Sequence, residues 1–201
     1  LFTRSNFDLD GAVRLAGLYY LCVVIFEVPS GWMSDRLGRA LTLRIAGAAW
    51  VLCQLCFILG ADSFTVIAIG QGLLALGYAS LSGTDVTFHF DTLEALGRQS
   101  EYGERQARVA SRGLVFGGAG ALLGGALGLA DLRLAFAASM VLAVAQFVLA
   151  MRLSEPPRSG ETAGLFRQIG ECLAYLRQIS LAWIFGYGIA MVVLEHVAFT
   201  L

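Results

Sequence analysis

The chain has 201 residues, of which 57% are hydrophobic and only 14% charged, with a formal net charge of −1. Soluble globular chains carry about 25% charged residues, so this composition, with a mean hydropathy of +0.71, argues against an ordinary soluble domain and for a membrane protein. The charge balance offers nothing to hold nucleic acid. All fourteen basic residues are arginine, and the four cysteines (22, 53, 56 and 172) form no disulfide framework. Cys53 and Cys56, three apart on one helix face, read as small apolar filler ahead of a metal or redox pair.

Six apolar stretches are each close to the roughly 20 residues that a helix needs to cross a bilayer. In chain order they are Ala12–Met33, Ala40–Gly60, Phe64–Phe90, Gly113–Ala130, Leu132–Met151 and Leu181–Leu201. Only helices or closed barrels satisfy their backbone in lipid, and these runs are too long and too unalternating for barrel strands. The first two are joined by Gly31-Trp32-Met33-Ser34-Asp35-Arg36-Leu37-Gly38-Arg39-Ala40, a charge-dense loop that belongs in water. Ala61-Asp62-Ser63 and Asp131 make connections so short that the helices they join must be antiparallel neighbours. In the fourth stretch, glycines 113, 117, 120, 124 and 128 recur at helical spacing and predict close helix packing. Leu153–Ser180 is polar and opens on Glu155-Pro156-Pro157, a helix stop. Its apolar residues from Leu165 to Ile179 then recur at helical spacing, for a helix lying on the membrane surface or packed under the bundle.

Arginine placement orients the bundle. Eleven arginines fall on the side of the Gly31–Ala40 loop and three on the other, which puts that loop in the cytoplasm by the positive-inside rule. The chain opens on no Met or signal pattern and closes inside an apolar run, so both ends read as cut. One helix is expected to precede residue 1. The expected division is a transmembrane bundle over residues 1–152 lacking its first helix, a cytoplasmic linker over 153–180, and the first helix of a second bundle over 181–201.

Ionisable groups inside the spans are the candidate chemistry, because a charge at the bilayer centre costs about 2.5–3.5 kcal/mol unless it faces water or a partner. Glu27 lies six residues before Met33, and Asp85 six before Asp91. At 1.5 Å per residue, both fall about 9 Å inside the boundary, where they could pass a proton or hold a cationic substrate. Alternatively, each pins helices by bonding backbone or an arginine. His89, four residues after Asp85, shares its helix face and either titrates with it near neutral pH or bonds to a backbone group. Glu195-His196 repeats an acid beside an imidazole in the last span. No Ser/His/Asp set, HExxH or phosphate-binding Gly-rich loop is present, so an enzyme is not expected, nor is a cofactor or a metal site.

The order Gly31-x-x-x-Asp35-Arg36-x-Gly38-Arg39 resembles the loop between the second and third helices of the major facilitator superfamily, with Ala40 where a basic residue is usual. The run Ser82-Gly83-Thr84-Asp85, then Asp91-Thr92-Leu93, Gly97-Arg98 and Glu101-Tyr102, and also Glu27-Val28-Pro29-Ser30-Gly31, are similar to one bacterial-type branch. The resemblance implies an all-α polytopic bundle, six of twelve spans, in the cytoplasmic membrane of a bacterium. It implies transport of a small molecule by alternating access, with protons as the expected coupling ion. In the family Asp35 caps a helix of the opposite half and the loop arginines meet the Asp91 position, while Glu195 and His196 fall near the central cavity. Two departures weaken antiport: Gln71 stands where drug–proton antiporters often carry Arg, and Gly120-Ala121-Leu122-Leu123-Gly124-Gly125 has Ala where their motif has Pro. A non-transporting receptor or scaffold of the same fold is the alternative.

Overall fold

The computed structural model describes residues 9–60 and 63–157, with isolated positions at 170, 183, 186, 187, 190 and 191. The chain divides into two units, Leu1–Ser159 and Gly160–Leu201. All helices described below belong to the first. The expected surface helix, the sixth span Leu181–Leu201, and with them Glu195 and His196, lie outside the described residues, isolated positions aside.

The first unit is all-helical among the described residues. Its helices are α1 (Leu9–Leu37), α2 (Arg39–Leu59), α3 (Phe64–Leu81), α4 (Thr84–Ala95), α5 (Tyr102–Ala130) and α6 (Leu132–Met151), with a single 3-10 turn, Gln99–Glu101, before α5. Among the described residues, five stretches are long and apolar enough to cross a membrane: Asp10–Leu37, Arg39–Leu59, Phe64–Ala95, Gln99–Ala130 and Leu132–Met151. Their outer faces carry large apolar side chains in the open, among them Leu114 at 80%, Leu122 at 79% and Leu129 at 78% exposure. Apolar surface on that scale calls for lipid or a partner helix. This is the build of a multi-pass helical membrane protein.

Small residues set the packing. α2 lies between α3 and α6, and α1 packs on α3. The interior is largely alanine, with Ala46, Ala49, Cys53, Ala75 and Ala79 buried. A Cβ added at Gly47 would come within 3.0 Å of the Phe147 Cα on α6, and one at Gly70 within 2.6 Å of the Phe57 ring on α2. Hydroxyl groups stitch the seam of α1 with α3 and α4. Ser30 donates to the Ala79 carbonyl at 2.8 Å, and Thr84 donates to the Ser34 hydroxyl at 3.2 Å. Such bonds hold helices together where lipid supplies no hydrophobic drive.

Two boundaries differ from the sequence reading. The Gly31–Ala40 segment is not an open loop: α1 runs on to Leu37 and α2 starts at Arg39, leaving Gly38 alone between them. Hydropathy ends a span where charge begins, but Met33 to Leu37 contains no helix breaker, so the helix continues. The expected span Phe64–Phe90 is broken at Ser82-Gly83, because Gly83 takes a left-handed φ of 72°. At the opposite end, Asp131 alone joins α5 to α6 and accepts the Arg133 N–H at 2.9 Å, the usual N-cap bond.

Candidate functional site

The charged residues of the Gly31–Ala40 segment converge at one end of the bundle. Gly38 makes this possible. Its backbone, at φ 126° and ψ 142°, lies where residues with a Cβ are strained. In that conformation its carbonyl receives the Thr42 N–H at 3.0 Å and the buried Thr42 hydroxyl at 2.8 Å. α2 therefore starts abruptly, with its first N–H groups directed outward and unbonded within the helix, as at any helix N-terminus.

Those N–H groups are received by a residue more than a hundred positions away. The Glu155 carboxylate, just beyond α6, accepts the Arg39 N–H through Oε1 at 2.9 Å and the Ala40 N–H through Oε2 at 2.8 Å. A negative charge also suits the positive end of the helix dipole. Arg44, on the first turns of α2, returns the contact. Its Nη2 donates to the Leu153 carbonyl at 2.7 Å and its Nε to the Ala150 carbonyl at 3.3 Å, at the C-terminal end of α6. Each helix end thus receives the charge its dipole favours from the other helix.

The Arg39 guanidinium forms an ion pair with Asp91 of α4, the two side chains being only 20% and 18% exposed. It also donates to the Thr87 carbonyl at 3.4 Å. Reduced solvent strengthens such a pair, and it raises the penalty for removing one partner. Arg36 rests over the Trp32 ring at 5.3 Å from its centre, a cation–π contact. Asp35, half-buried on the last turn of α1, is also engaged. Gly31 lies on the exposed side of α1, where an added Cβ would meet nothing among the described residues.

α4 and α5 meet just beside this cluster. His89 Nδ1 and Gln106 Oε1 are 3.0 Å apart, and the Tyr102 ring lies against both His89 and Phe90. The hydrogen bond of His89 therefore runs to α5, not to a backbone group and not to Asp85. Glu101, on the polar turn that opens α5, receives Arg98 at 2.6 Å and Arg105 at 2.9 Å. These bonds, that from Arg98 first, hold its carboxyl down at about 2 and push the Arg98 guanidinium up. Arg108 pairs with Glu104 one turn on.

The remaining candidates lie apart from the cluster. Glu27 is exposed on α1 and accepts the Ser82 hydroxyl at 2.8 Å, next to the break between α3 and α4. Asp85 is exposed in the first turn of α4, where it accepts its neighbour's N–H, from Val86, at 2.8 Å. The two acids flank the same helix break, yet the bond from Glu27 goes to Ser82. Gly117, Gly120, Gly124 and Gly125 line a bare stretch of α5, and a Cβ at any of them would touch nothing among the described residues. Among those residues no three His, Cys, Asp or Glu side chains group as metal ligands would.

Glu155, Arg44 and Gln106 were not legible as site residues, and Ser82 appeared only within the Ser82–Asp85 run of the resemblance. The signal available for Glu155 was an acid directly before two prolines at the arginine-rich end, which reads first as a helix stop.

No known family model matches the chain, and no solved structure does. Over 83 residues the chain is 34% identical to an uncharacterized transporter of Buchnera aphidicola subsp. Baizongia pistaciae (strain Bp), a match covering 38% of this chain and 19% of that protein. The chain thus spans about a fifth of the length of this relative.

Proposed function

We propose that this chain is part of a secondary transporter of the major facilitator type, moving a small molecule across a bacterial cytoplasmic membrane by alternating access. The observation that carries the reading is the partly buried Arg39–Asp91 pair, which ties α2 to α4 at the arginine-rich, cytoplasmic end. The named transporter relative and the five apolar helices support it.

In this reading the pair is part of a latch. With Arg39 held by Asp91, and α2 held to the end of α6 through Glu155 and Arg44, the cytoplasmic end is closed and the protein faces outward. Losing the pair shifts the population toward the inward-open state, and rocking of this bundle against a second one exposes a midplane site to either side in turn. Protons are the coupling ion, entering through Glu27, and Glu195 and His196 are further candidates for substrate binding.

The test uses the whole protein in sealed vesicles with an imposed proton gradient and a pH-sensitive dye, to which a panel of small molecules is added. Substrate-dependent dissipation of the gradient in the wild type, lost in Asp91→Asn at equal protein levels, is expected. A wild type that responds to none of the panel and moves none of it by direct counting would overturn the transport reading. Full activity in Asp91→Asn would remove the latch from it.

A further inference from the structure

We infer that Glu155 is the positioning residue of the Arg39–Asp91 pair, and that the segment leaving α6 thereby governs whether α4 is held. Three observations meet in this residue. Its two carboxylate oxygens take separate N–H groups, those of Arg39 and Ala40, so both oxygens are committed to the first turn of α2. One of those N–H groups belongs to Arg39, the residue whose guanidinium meets Asp91. And α2 begins after a single glycine, at φ 126°, a residue too permissive to hold the direction of that first turn without an outside contact.

The geometry separates two roles for the same residue. Asp91 holds the far end of the Arg39 side chain, while Glu155 holds the near end of the same residue at its backbone. Ordering the Arg39 side chain onto one carboxylate already costs rotamer entropy, and a mobile backbone at its base would add a further ordering cost. Glu155 fixes that base. Its own position is set by Arg44, which donates to the Ala150 and Leu153 carbonyls on either side of the α6 terminus, and by Pro156, which is buried next to it. A pull on the chain after Pro157 would therefore withdraw the carboxylate from α2 and slacken the pair to α4. The consequence for gating rests on the transport reading above; the coupling itself does not.

Hydrogen exchange of the full-length protein, read on peptides covering residues 84–95, tests this without any transport assay. Glu155→Gln is expected to raise exchange in α4 about fivefold, the factor that loss of one such contact gives in a local opening equilibrium. Asp91→Asn should do the same, and the double variant should exchange no faster than the faster single one, because both act on one pair. Glu155→Asp, which keeps the charge and both oxygens, should return α4 most of the way to the wild-type rate. A residue that merely caps α2 would give faster exchange confined to the start of α2 and the end of α6, with effects on melting temperature that add to those of Asp91→Asn. Either finding overturns the proposal. Should Glu155→Gln fail to fold, Arg44→Gln carries the same comparison, with α4 again the place where faster exchange must appear. A wild type that moves no substrate would sink the transport reading and leave this result standing.

Discussion

Gly38 shows how much one residue without a side chain can decide. Its backbone conformation is open to glycine and strained for other residues, at a cost of about 1–3 kcal/mol. Gly38→Ala is therefore expected to lower the melting temperature in detergent and to loosen the start of α2. Gly31→Ala, in the same motif but helical and with open space around it, should be neutral or slightly stabilising, since alanine is about 0.5–1 kcal/mol better than glycine inside a helix. Equal losses in the two variants would mean that backbone strain at Gly38 is not the reason for its presence. A second residue-scale effect depends on pH. Bonds from Arg98 and Arg105 lower the Glu101 carboxyl from its ordinary 4.5 to about 2. A group lowered in the folded state contributes stability in full above its unfolded pKa and loses it as pH falls through the folded one. The stability difference between wild type and Glu101→Gln should hold steady above about pH 5, shrink as the pH falls below 4.5, and vanish near pH 2. A difference that stays constant down to the lowest pH would assign the effect to shape, not charge. The residue-level chemistry was only half legible. The resemblance to the facilitator loop singled out Arg39 and Asp91, but Glu155 lay outside it, since its partners are 115 and 116 positions away and no local pattern encodes that distance.

Among the elements, hydropathy located α2 and α6 almost to the residue, because each is an apolar run closed by polar groups on both sides. It missed the division of α3 from α4. Ser82-Gly83 lies within a stretch that stays apolar on average, and an averaged hydropathy carries no information about a left-handed φ. It also ended α1 too early and started α5 too late, for the related reason that a helix does not stop where the membrane does. Glycines divide into packing ones, such as Gly47 and Gly70, and the bare ones of the α5 stripe. Gly47→Val should force α2 off Phe147, with overpacking of this kind costing about 1–3 kcal/mol, and should show a clear fall in melting temperature. Gly117→Val, on a face that meets nothing among the described residues, should cost this bundle nothing. If the stripe packs against a second bundle in the whole protein, Gly117→Val should impair transport while leaving the first unit's exchange protection unchanged. Loss of protection throughout α5 and α6 in Gly117→Val would show instead that the stripe is part of this bundle's own core.

At the scale of the whole molecule, the question is what Glu27 and Asp85 do. Glu27 is bonded to Ser82 at the break between α3 and α4, and Asp85 opens α4 on the other side of that break, so both lie where a change in α4 would be felt. Asp91, at the far end of α4, is held by Arg39. A proton arriving at Glu27 would remove the charge that favours the Ser82 hydroxyl as donor, and a charge-assisted bond is roughly twice as strong as a neutral one. The helix break would then be freer to bend while the latch at the other end is released. If the two acids carry protons in this way, Glu27→Gln and Asp85→Asn should preserve the fold and abolish gradient-driven transport. Exchange of labelled for unlabelled substrate in the absence of a gradient should persist, because that half-cycle needs no net proton movement. If they only pin helices, both variants should melt earlier, and exchange should fall together with driven transport. Ser82→Ala separates the bond from the charge: it removes the hydroxyl but leaves the Glu27 carboxylate free to take up a proton. It is expected to lower the rate of driven transport without abolishing it. Driven transport at the wild-type rate in both acid variants would take Glu27 and Asp85 out of the coupling mechanism, whatever their neighbours do.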